Sequence, residues 1–320
     1  MDKDGLFKLI QKLMSDHPLI IWGSGATVPC GMPTMSQLSQ AIKDITDLPI
    51  DVTKSLEAEL CKPELTSEAD KIRRIIFERI LESDAKIIDL QRKRSCAYLD
   101  AVADLIKLIY EAHPKVVNFL TTNYDRVVEH VAAWNGYRVY DGTIRGNLGL
   151  FNVCEFKDHD AVNVIKVHGS LSWGDFDGAT RNCFGKLPDE VDPVIIIPGN
   201  QKYQATHQNP YRALIQKADD TIQKASAFLA IGFGFNDEHI TPFVNTKIND
   251  GTPIIVIALK ISDNCRKMLA RARTYVLLEA NEADEGLTQV SYCDGVNMAR
   301  GDMKIDGRYW KLDKFMEVFK

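Results

Sequence analysis

Several features that mark other protein classes are absent from this sequence of 320 residues. Its seven cysteines are scattered and form no CxxC pair, which argues against a disulfide framework and against zinc held by paired cysteines. The longest apolar runs, such as residues 253–259, are too short to span a bilayer. The first four residues also lack the basic-then-apolar order of a signal peptide. We therefore expect a cytoplasmic protein that has no metal site and does not enter a membrane.

An excess of positive charge is missing as well. The formal net charge is −5, so the chain lacks the basic footprint that a nucleic-acid-binding domain shows. Two basic clusters, at residues 73–74 and 92–94, lie among helix-like residues, where a solvated helix face explains them. The apolar content of 45% and the charged content of 26% are ordinary for a globular protein. We expect no direct nucleic-acid binding.

Short apolar runs alternate with helix-like stretches along most of the chain. The runs typical of buried strands are residues 19–22, 116–121, 164–167, 194–197, 228–231, 254–259 and, more weakly, 275–278. The helix-like stretches are residues 35–45, 124–134, 213–224 and 264–272. This alternation predicts an α/β fold of Rossmann-like, doubly wound type with a mainly parallel sheet.

One interval, from about residue 47 to residue 111, shows no convincing strand. Thr66 or Ser67 is placed to cap a helix that has acidic residues in its first turn. Isoleucines then recur at helical spacing, at Ile72, Ile75, Ile76 and Ile80. We predict a single domain over residues 1–320 with a helical subdomain inserted at about 47–111. Residues 309–319 are predicted to form a closing amphipathic helix.

The stretch GSGATVPCGMP directly after the first apolar run raises the main functional question. A strand that ends at Gly23-Ser24-Gly25 is typical of a phosphate-binding turn. The third glycine of GxGxxG is missing, however, because Val28 stands at its place and the next glycine is Gly31. A lone GxG after a strand is a weak signal and is often only a tight turn.

Three further predicted strand ends carry polar or glycine-rich sequences: TTNYD from residue 121, VHGS from residue 167 and GFGFND from residue 232. Ligands of open α/β sheets bind outside the carboxyl ends of the strands, so we expect these ends to form one site. Simpler explanations exist for each. Thr122-Asn123 and Asp237 could cap helices, a lone histidine is usually structural, and Gly232 and Gly234 could allow a helix to pack closely on a strand. Cys30 is paired with no base and is given no catalytic role. Six histidines without motif support are assigned to structure or surface: His17, His113, His130, His159, His207 and His239.

The four motifs, in this order, resemble those of the sirtuins over roughly residues 18–260. Gly23, Gly25, Gly31 and Pro33 match the sirtuin loop GAGxSxxxGIP, with Thr27 in place of its serine. TTNYD is similar to the sirtuin TQNID and places Asn123 and Asp125 in register, and VHGS supplies the His168-Gly169 pair. The sequence GFG, residues 232–234, stands where sirtuins carry GTS.

The departures from the sirtuin pattern narrow the resemblance. The zinc module with two CxxC pairs is missing, and Thr34-Met35-Ser36 replaces the Asp-Phe-Arg of sirtuins. With these departures and its helical insertion, the chain resembles the bacterial sirtuin-like domains of anti-phage defence. That resemblance implies hydrolysis of NAD, as substrate, to nicotinamide and ADP-ribose. It also implies a homo-oligomer and a protein partner or sensor, such as a ring-forming ATPase, unless the chain is part of a longer protein.

The resemblance also implies roles for His168 and Asn123, while the side chains of Asp125 and Asp237 each leave two roles open. His168 is expected to be the general base, and Asn123 to orient the water and the ribose. Asp125 is expected either to bind the nicotinamide amide or to fix the loop that carries Asn123, and Asp237 either to bind a ribose hydroxyl or to cap a helix. The residues assigned to holding the dinucleotide are Gly23, Ser24, Gly25, Thr27, Gly31, Thr122, Gly232, Phe233, Gly234 and Asp237.

Two other functions remain open at this point. One is a protein deacylase or ADP-ribosyltransferase on the same fold, although the missing zinc module argues against deacylation. The other is a sensor that binds NAD or ADP-ribose without turning it over. If the chain is a hydrolase, its activity must be restrained in the host cell, and we expect oligomerisation, the helical insertion or the absence of a partner to restrain it.

Overall fold

The structure is a computed structural model that describes residues 1–199 and 208–320. His207, one of the histidines assigned to structure or surface, lies outside the described residues. The strands of the described residues are β1 Leu19–Trp22, β2 Val116–Thr121, β3 Val139–Tyr140, β4 Ala161–Lys166, β5 Gly169–Phe176, β6 Ala179–Asn182, β7 Asp192–Ile195, β8 Phe228–Ile231, β9 Ile254–Ala258, β10 Thr274–Ala280, β11 Leu287–Asp294 and β12 Arg300–Asp306.

Nine of these described strands form one sheet in the order β12-β11-β10-β9-β8-β1-β2-β4-β3. All neighbours from β10 to β3 are parallel, and only β11 and β12 are antiparallel. The six central strands β4-β2-β1-β8-β9-β10 follow the 3-2-1-4-5-6 order of a dinucleotide-binding fold, which reverses between β1 and β8. The predicted α/β fold with a doubly wound, mainly parallel sheet is confirmed.

Helices cover both faces of this sheet. Those of the described residues are Lys3–Met14, Met35–Ile45, Leu56–Leu60, Pro63–Thr66, Ala69–Asp84, Ile87–Arg92, Ala97–Tyr110, Val127–Trp134, Tyr211–Lys224, Thr241–Asn249, Asp263–Leu269 and Leu312–Phe315. Alternate residues of β1 enter different apolar clusters: Ile20 and Trp22 one, Leu19 and Ile21 the other. Because both faces are buried, the strands have continuous apolar runs rather than alternating ones.

The interval from residue 47 to residue 111 contains five helices and no strand. The isoleucines of its longest helix, Ala69–Asp84, belong to the same apolar cluster as Ile20 of the sheet. The predicted cap is wrong, because Glu68 precedes that helix. The hydroxyls of Thr66 and Ser67 instead donate to carbonyls of the preceding turns. Whether this interval forms a subdomain of its own stays a prediction.

A second, three-stranded antiparallel sheet, in the order β6-β5-β7, was not predicted. Residues 194–197 were predicted as a strand of the main sheet, but β7 ends at Ile195 and pairs with β5 in the small sheet. The closing helix is also shorter than predicted, since Leu312–Phe315 is α-helical and Met316–Phe319 is a 3-10 turn. In the described part of the chain, no helix combines the length and apolarity needed to cross a bilayer.

Candidate functional site

A cavity of about 560 Å³ opens where β1, β2, β4 and β8 end. Ten of the residues predicted for the site line it: Ser24, Thr27, Thr122, Asn123, Asp125, His168, Gly232, Phe233, Gly234 and Asp237. Gly23, Gly25 and Gly31 are not among its lining residues. The structure therefore brings all four motifs to one place, at the point where the strand order reverses.

The glycine loop packs directly on the loop that follows β8. The Gly23 N–H donates to Ile231 O at 2.9 Å, and the Gly25 N–H donates to Gly232 O at 3.1 Å. A Cβ on Gly23 would lie 2.2 Å from Gly232 O, and a Cβ on Gly232, whose φ is +59°, would lie 2.2 Å from Ala26 N. Both positions therefore require glycine, because backbone meets backbone there.

Much of the hydrogen-bonding capacity of the glycine loop is used internally. Two 3-10 turns, Ser24–Ala26 and Val28–Cys30, follow β1, and the next α-helix begins only at Met35. The N–H groups of Ala26 and Thr27 bond to Gly23 O and Ser24 O, and the Thr27 hydroxyl donates to Ser24 O at 3.1 Å. This loop is therefore built differently from a GxGxxG turn that opens a helix.

Asn123 joins the exit of β2 to the glycine loop. Its Nδ2 donates to Gly23 O at 3.0 Å, and its N–H donates to the Thr121 hydroxyl at 2.9 Å. The Thr121 hydroxyl in turn donates to Trp22 O at 2.6 Å. The side chain is buried at the cavity wall, and its Oδ1 is the atom left to accept a hydrogen bond from a ligand.

Asp125 is buried at the same wall and shapes the loop. Its Oδ1 accepts the Val127 N–H at 3.2 Å, which starts the helix Val127–Trp134 three residues later than predicted. Burial raises the pKa of Asp125 to about 6, although the Lys166 ammonium opposes that rise. The Lys166 ammonium donates to the Asp125 carbonyl and to the Glu129 carboxylate. The hydrogen bond from the Val127 N–H supports a role for Asp125 in fixing the loop. A contact between Asp125 and nicotinamide stays a prediction.

A buried ion pair between Asp84 and Arg126 ties the loop that follows β2 to the helix Ala69–Asp84. The Asp84 carboxylate accepts the Arg126 N–H at 2.7 Å and the Arg126 Nη2 at 2.7 Å, and His130 Nε2 lies 3.2 Å from it. Burial alone would raise the pKa of Asp84, but the His130 hydrogen bond and the Arg126 charge lower this pKa to about 2. His130 therefore has a structural role, as predicted from its lack of a motif.

His168 and Asp237 meet at the floor of the cavity. His168 Nε2 lies 3.1 Å from Asp237 Oδ2, with both side chains more than 90% buried. The ring N–H is poorly aligned with that oxygen, so Nε2 lacks a well-formed hydrogen bond. Asp237 Oδ1 accepts the N–H groups of His239 and Ile240 at 3.0 and 3.1 Å, just before the helix Thr241–Asn249. Asp237 therefore caps the turn that precedes this helix and not the helix itself, whose N-cap residue is Ile240 and which has no side-chain cap bond.

One wall of the cavity was missed by the sequence analysis. Residues 52–57, at the start of the helical interval, line it together with residues around Pro33. Lys54 and Glu57 bring opposite charges to this wall. The Lys54 Nζ lies 3.8 Å from Asp51 Oδ2. Their polar turn carries no motif, so only the fold places it over the site.

The remaining candidates for chemistry beside the glycine loop are the Cys30 thiol and a metal ion. Burial raises the pKa of the Cys30 thiol, with a smaller contribution from neighbouring Cys96, which keeps Cys30 protonated. Among residues 1–199 and 208–320, no group of three or more histidine, cysteine or acidic side chains is placed to hold a metal ion.

Comparison with known families agrees with this geometry. Residues 117–274 match the SIR2-like domain. The SIR2-like region contains Asn123, Asp125, His168 and the GFG sequence, and it leaves out the glycine loop, which precedes it. This match thus covers three of the four motifs. No curated protein sequence matches the chain.

Solved sirtuin structures are also similar to the chain, at low identity. A Sir2 homologue in complex with NAD is 15% identical, covers 87% of this chain and 88% of its own, and has a TM-score of 0.49. A mutant Sir2 homologue in complex with ADP-ribose is 16% identical, with coverages of 83% and 88% and a TM-score of 0.48. Sir2 bound to an acetylated peptide is 14% identical, with coverages of 82% and 89% and a TM-score of 0.45.

Proposed function

We propose that this protein is an NAD glycohydrolase that cleaves NAD to nicotinamide and ADP-ribose. The observation that carries the proposal is the convergence of Asn123, Asp125 and His168 with the glycine loop on one cavity at the reversal of strand order. A cavity of about 560 Å³ lies within the size range of ligand pockets. The match to the SIR2-like domain supports an NAD-dependent chemistry.

The proposed reaction breaks the bond between C1 of the ribose and N1 of nicotinamide. The electron pair of that bond moves to N1, so the cationic ring leaves as neutral nicotinamide and needs no acid. Water attacks C1, and His168 takes one proton from it, which solvent later accepts. The Asn123 Oδ1 accepts a hydrogen bond from the water or a ribose hydroxyl. An ionised Asp125 stabilises the positive charge that develops on the ribose.

The dinucleotide is proposed to span the glycine loop and the GFG loop. Several N–H groups of the glycine loop are already hydrogen-bonded within the protein. We therefore expect the dinucleotide to contact the Ser24 side chain and the wall of residues 52–57 as well. Lys54 on that wall supplies a positive charge for the pyrophosphate. Thr122, Phe233 and Gly234 complete the proposed binding surface.

A test follows nicotinamide and ADP-ribose by chromatography after incubation of the purified chain with NAD. We expect Asn123→Ala and His168→Ala each to reduce turnover by about 10²–10⁴-fold. The control variants Asn297→Ala and His159→Ala alter exposed residues outside the cavity and should leave turnover unchanged. NAD that is bound but never cleaved would overturn the proposal in favour of a sensor. ADP-ribose transferred to protein would favour a transferase.

We further propose that hydrolysis serves anti-phage defence by depleting cellular NAD, as the resemblance of the motifs implies. A homo-oligomer and a sensor partner, such as a ring-forming ATPase, would then control the activity. Phage challenge of cells that express the wild-type chain or His168→Ala, with NAD measured during infection, tests this role. Equal NAD levels in the two strains, with the candidate partner present, would contradict it.

A further inference from the structure

We propose that Asp237 is the positioning residue of His168, and that it holds the imidazole in the tautomer that leaves Nδ1 free to accept a proton. The inference rests on the proposed hydrolysis. It gives Asp237 a role other than the two that its sequence left open, a ribose contact or a helix cap, and it follows from the placement of two buried side chains.

The first step of the argument is the identity of the enclosed nitrogen. His168 Nε2 is fully buried and faces Asp237 Oδ2 at 3.1 Å, without a well-aligned partner. The His168 ring lines the cavity, so Nδ1 is the nitrogen left for a ligand. A neutral imidazole that donates from Nε2 to a carboxylate has its lone pair on Nδ1.

The second step is the rigidity of the carboxylate. Asp237 Oδ1 accepts two backbone N–H groups, those of His239 and Ile240, and this fixes the orientation of the group. In this orientation Oδ2 lies 3.1 Å from the imidazole Nε2. The His239 ring stands edge-on to the His168 ring, with centroids 6.2 Å apart.

The third step is the chemistry that this pair permits. When Nδ1 takes a proton from water, the water oxygen bonds to C1 of the ribose and the C1–N1 bond releases its electron pair to nicotinamide. The imidazole then carries a positive charge, and the ionised Asp237 beside Nε2 stabilises it before the proton passes to solvent. A small rotation of the ring on substrate binding aligns the Nε2–H with Oδ2, as hydrogen bonds of unliganded sites often tighten.

The decisive variant is Asp237→Asn, because an asparagine Oδ1 can still accept both backbone N–H groups. Its amide nitrogen would face Nε2 as a donor and would favour the opposite tautomer. The same change in a serine protease triad lowers kcat by about 10⁴ for this reason. We expect Asp237→Asn to lower kcat by about 10²–10⁴-fold, with KM for NAD changed less than about threefold and an unchanged melting temperature.

The matched control is Asp294→Asn. Asp294 Oδ1 also accepts backbone N–H groups, from Val296, Asn297 and Ala299, but Asp294 is the last residue of β11 and does not line the cavity. We expect its kcat to equal that of the wild type. If Asp237→Asn keeps kcat within about threefold of the wild type, the proposal is wrong.

A second measurement is made on the wild-type chain and does not depend on activity. The imidazole ¹⁵N chemical shifts of wild-type His168, at a pH where imidazole is neutral, show which nitrogen carries the proton; the signals are assigned by their loss in His168→Gln. We expect the proton on Nε2. A proton on Nδ1 overturns the proposal. If NAD is never hydrolysed but Nε2 carries the proton, the pairing stands and the proposed hydrolysis fails.

Discussion

At the scale of single residues, several side chains that line the cavity also make hydrogen bonds within the protein. Asn123 donates to Gly23 O, Asp125 accepts the Val127 N–H, and the Thr27 hydroxyl donates to Ser24 O. Each of these three residues therefore has at least one structural contact that a motif cannot predict, because the contact depends on which loops meet. A ligand can bond only to the polar atoms that these contacts do not use, such as Asn123 Oδ1.

Asp125 leads to a prediction about stability. Its pKa of about 6 in the folded chain exceeds the ordinary value of 3.8, so the folded state binds more protons than the unfolded state between these pH values. The free energy of unfolding therefore falls as pH rises through this window. At pH 8, Asp125→Asn should increase it by up to about 3 kcal/mol relative to the wild type, while lowering NAD hydrolysis.

Urea unfolding of the wild type and Asp125→Asn at pH 8 and at pH 4 measures this effect. The gain should vanish at pH 4, where the wild-type carboxyl is protonated in the folded state. A gain of equal size at both pH values would contradict the assigned cause, which is burial of the charged carboxylate.

At the scale of elements, the loop that carries Asn123 and Asp125 is tied to the helix Ala69–Asp84 by one buried ion pair. Removing Asp84 leaves the Arg126 charge without its partner, and only 15% of that side chain is exposed. We expect Asp84→Ala to lower the free energy of unfolding by about 3–5 kcal/mol at pH 7, measured by urea unfolding. It should also weaken NAD hydrolysis by loosening the loop.

The control for this prediction is Asp70→Ala, in the same helix. Asp70 pairs with Arg73 at 2.7 Å but is 89% exposed, so its removal should cost less than about 1 kcal/mol. Because the pKa of Asp84 is lowered to about 2, the ionised Asp84 contributes fully to the free energy of unfolding above about pH 4. This contribution is lost as the pH falls through 2. Equal losses for the two variants at pH 7 would show that burial is not the cause.

The contact between the two glycine loops gives another prediction at this scale. A Cβ at Gly23 would lie 2.2 Å from Gly232 O and 2.5 Å from Phe233 Cα, so Gly23→Ala must push the loops apart. We expect a loss of NAD binding of at least about tenfold by calorimetry, together with a lower melting temperature. Gly185→Ala, where a Cβ would meet open space, is the control and should change neither. Unchanged binding in Gly23→Ala would exclude this interface from the site.

At the scale of the whole molecule, the central sheet was predictable and its additions were not. The continuous apolar runs at residues 116–121 and 228–231 coincide with β2 and β8, because strands buried on both faces carry a strong signal. β12 alternates exposed residues with partly buried ones and has one buried residue, Ile305, and β6 is partly buried for most of its length, so neither has a continuous apolar run. The wall of residues 52–57 and the His168–Asp237 pair depend on tertiary placement, which no local pattern encodes.

The proposed restraint of the enzyme is a property of the whole molecule. Uncontrolled hydrolysis of NAD would harm the cell that makes the protein, so we expect specific activity to depend on chain concentration or on an added partner. Turnover per chain measured across dilutions, beside sedimentation at the same concentrations, tests this expectation. Full activity at every concentration, with no partner present, would contradict it.

The meeting of Gly23 and Gly232 also constrains how this protein can vary. Each added Cβ would collide with main-chain atoms of the opposite loop, and main-chain atoms are present whichever residue occupies that position. A second mutation at the opposite glycine therefore cannot relieve the first, unlike the paired exchanges of size that rescue many cores. In a library that randomises both codons together, the survivors should keep glycine at each position independently, with no compensated pairs among them.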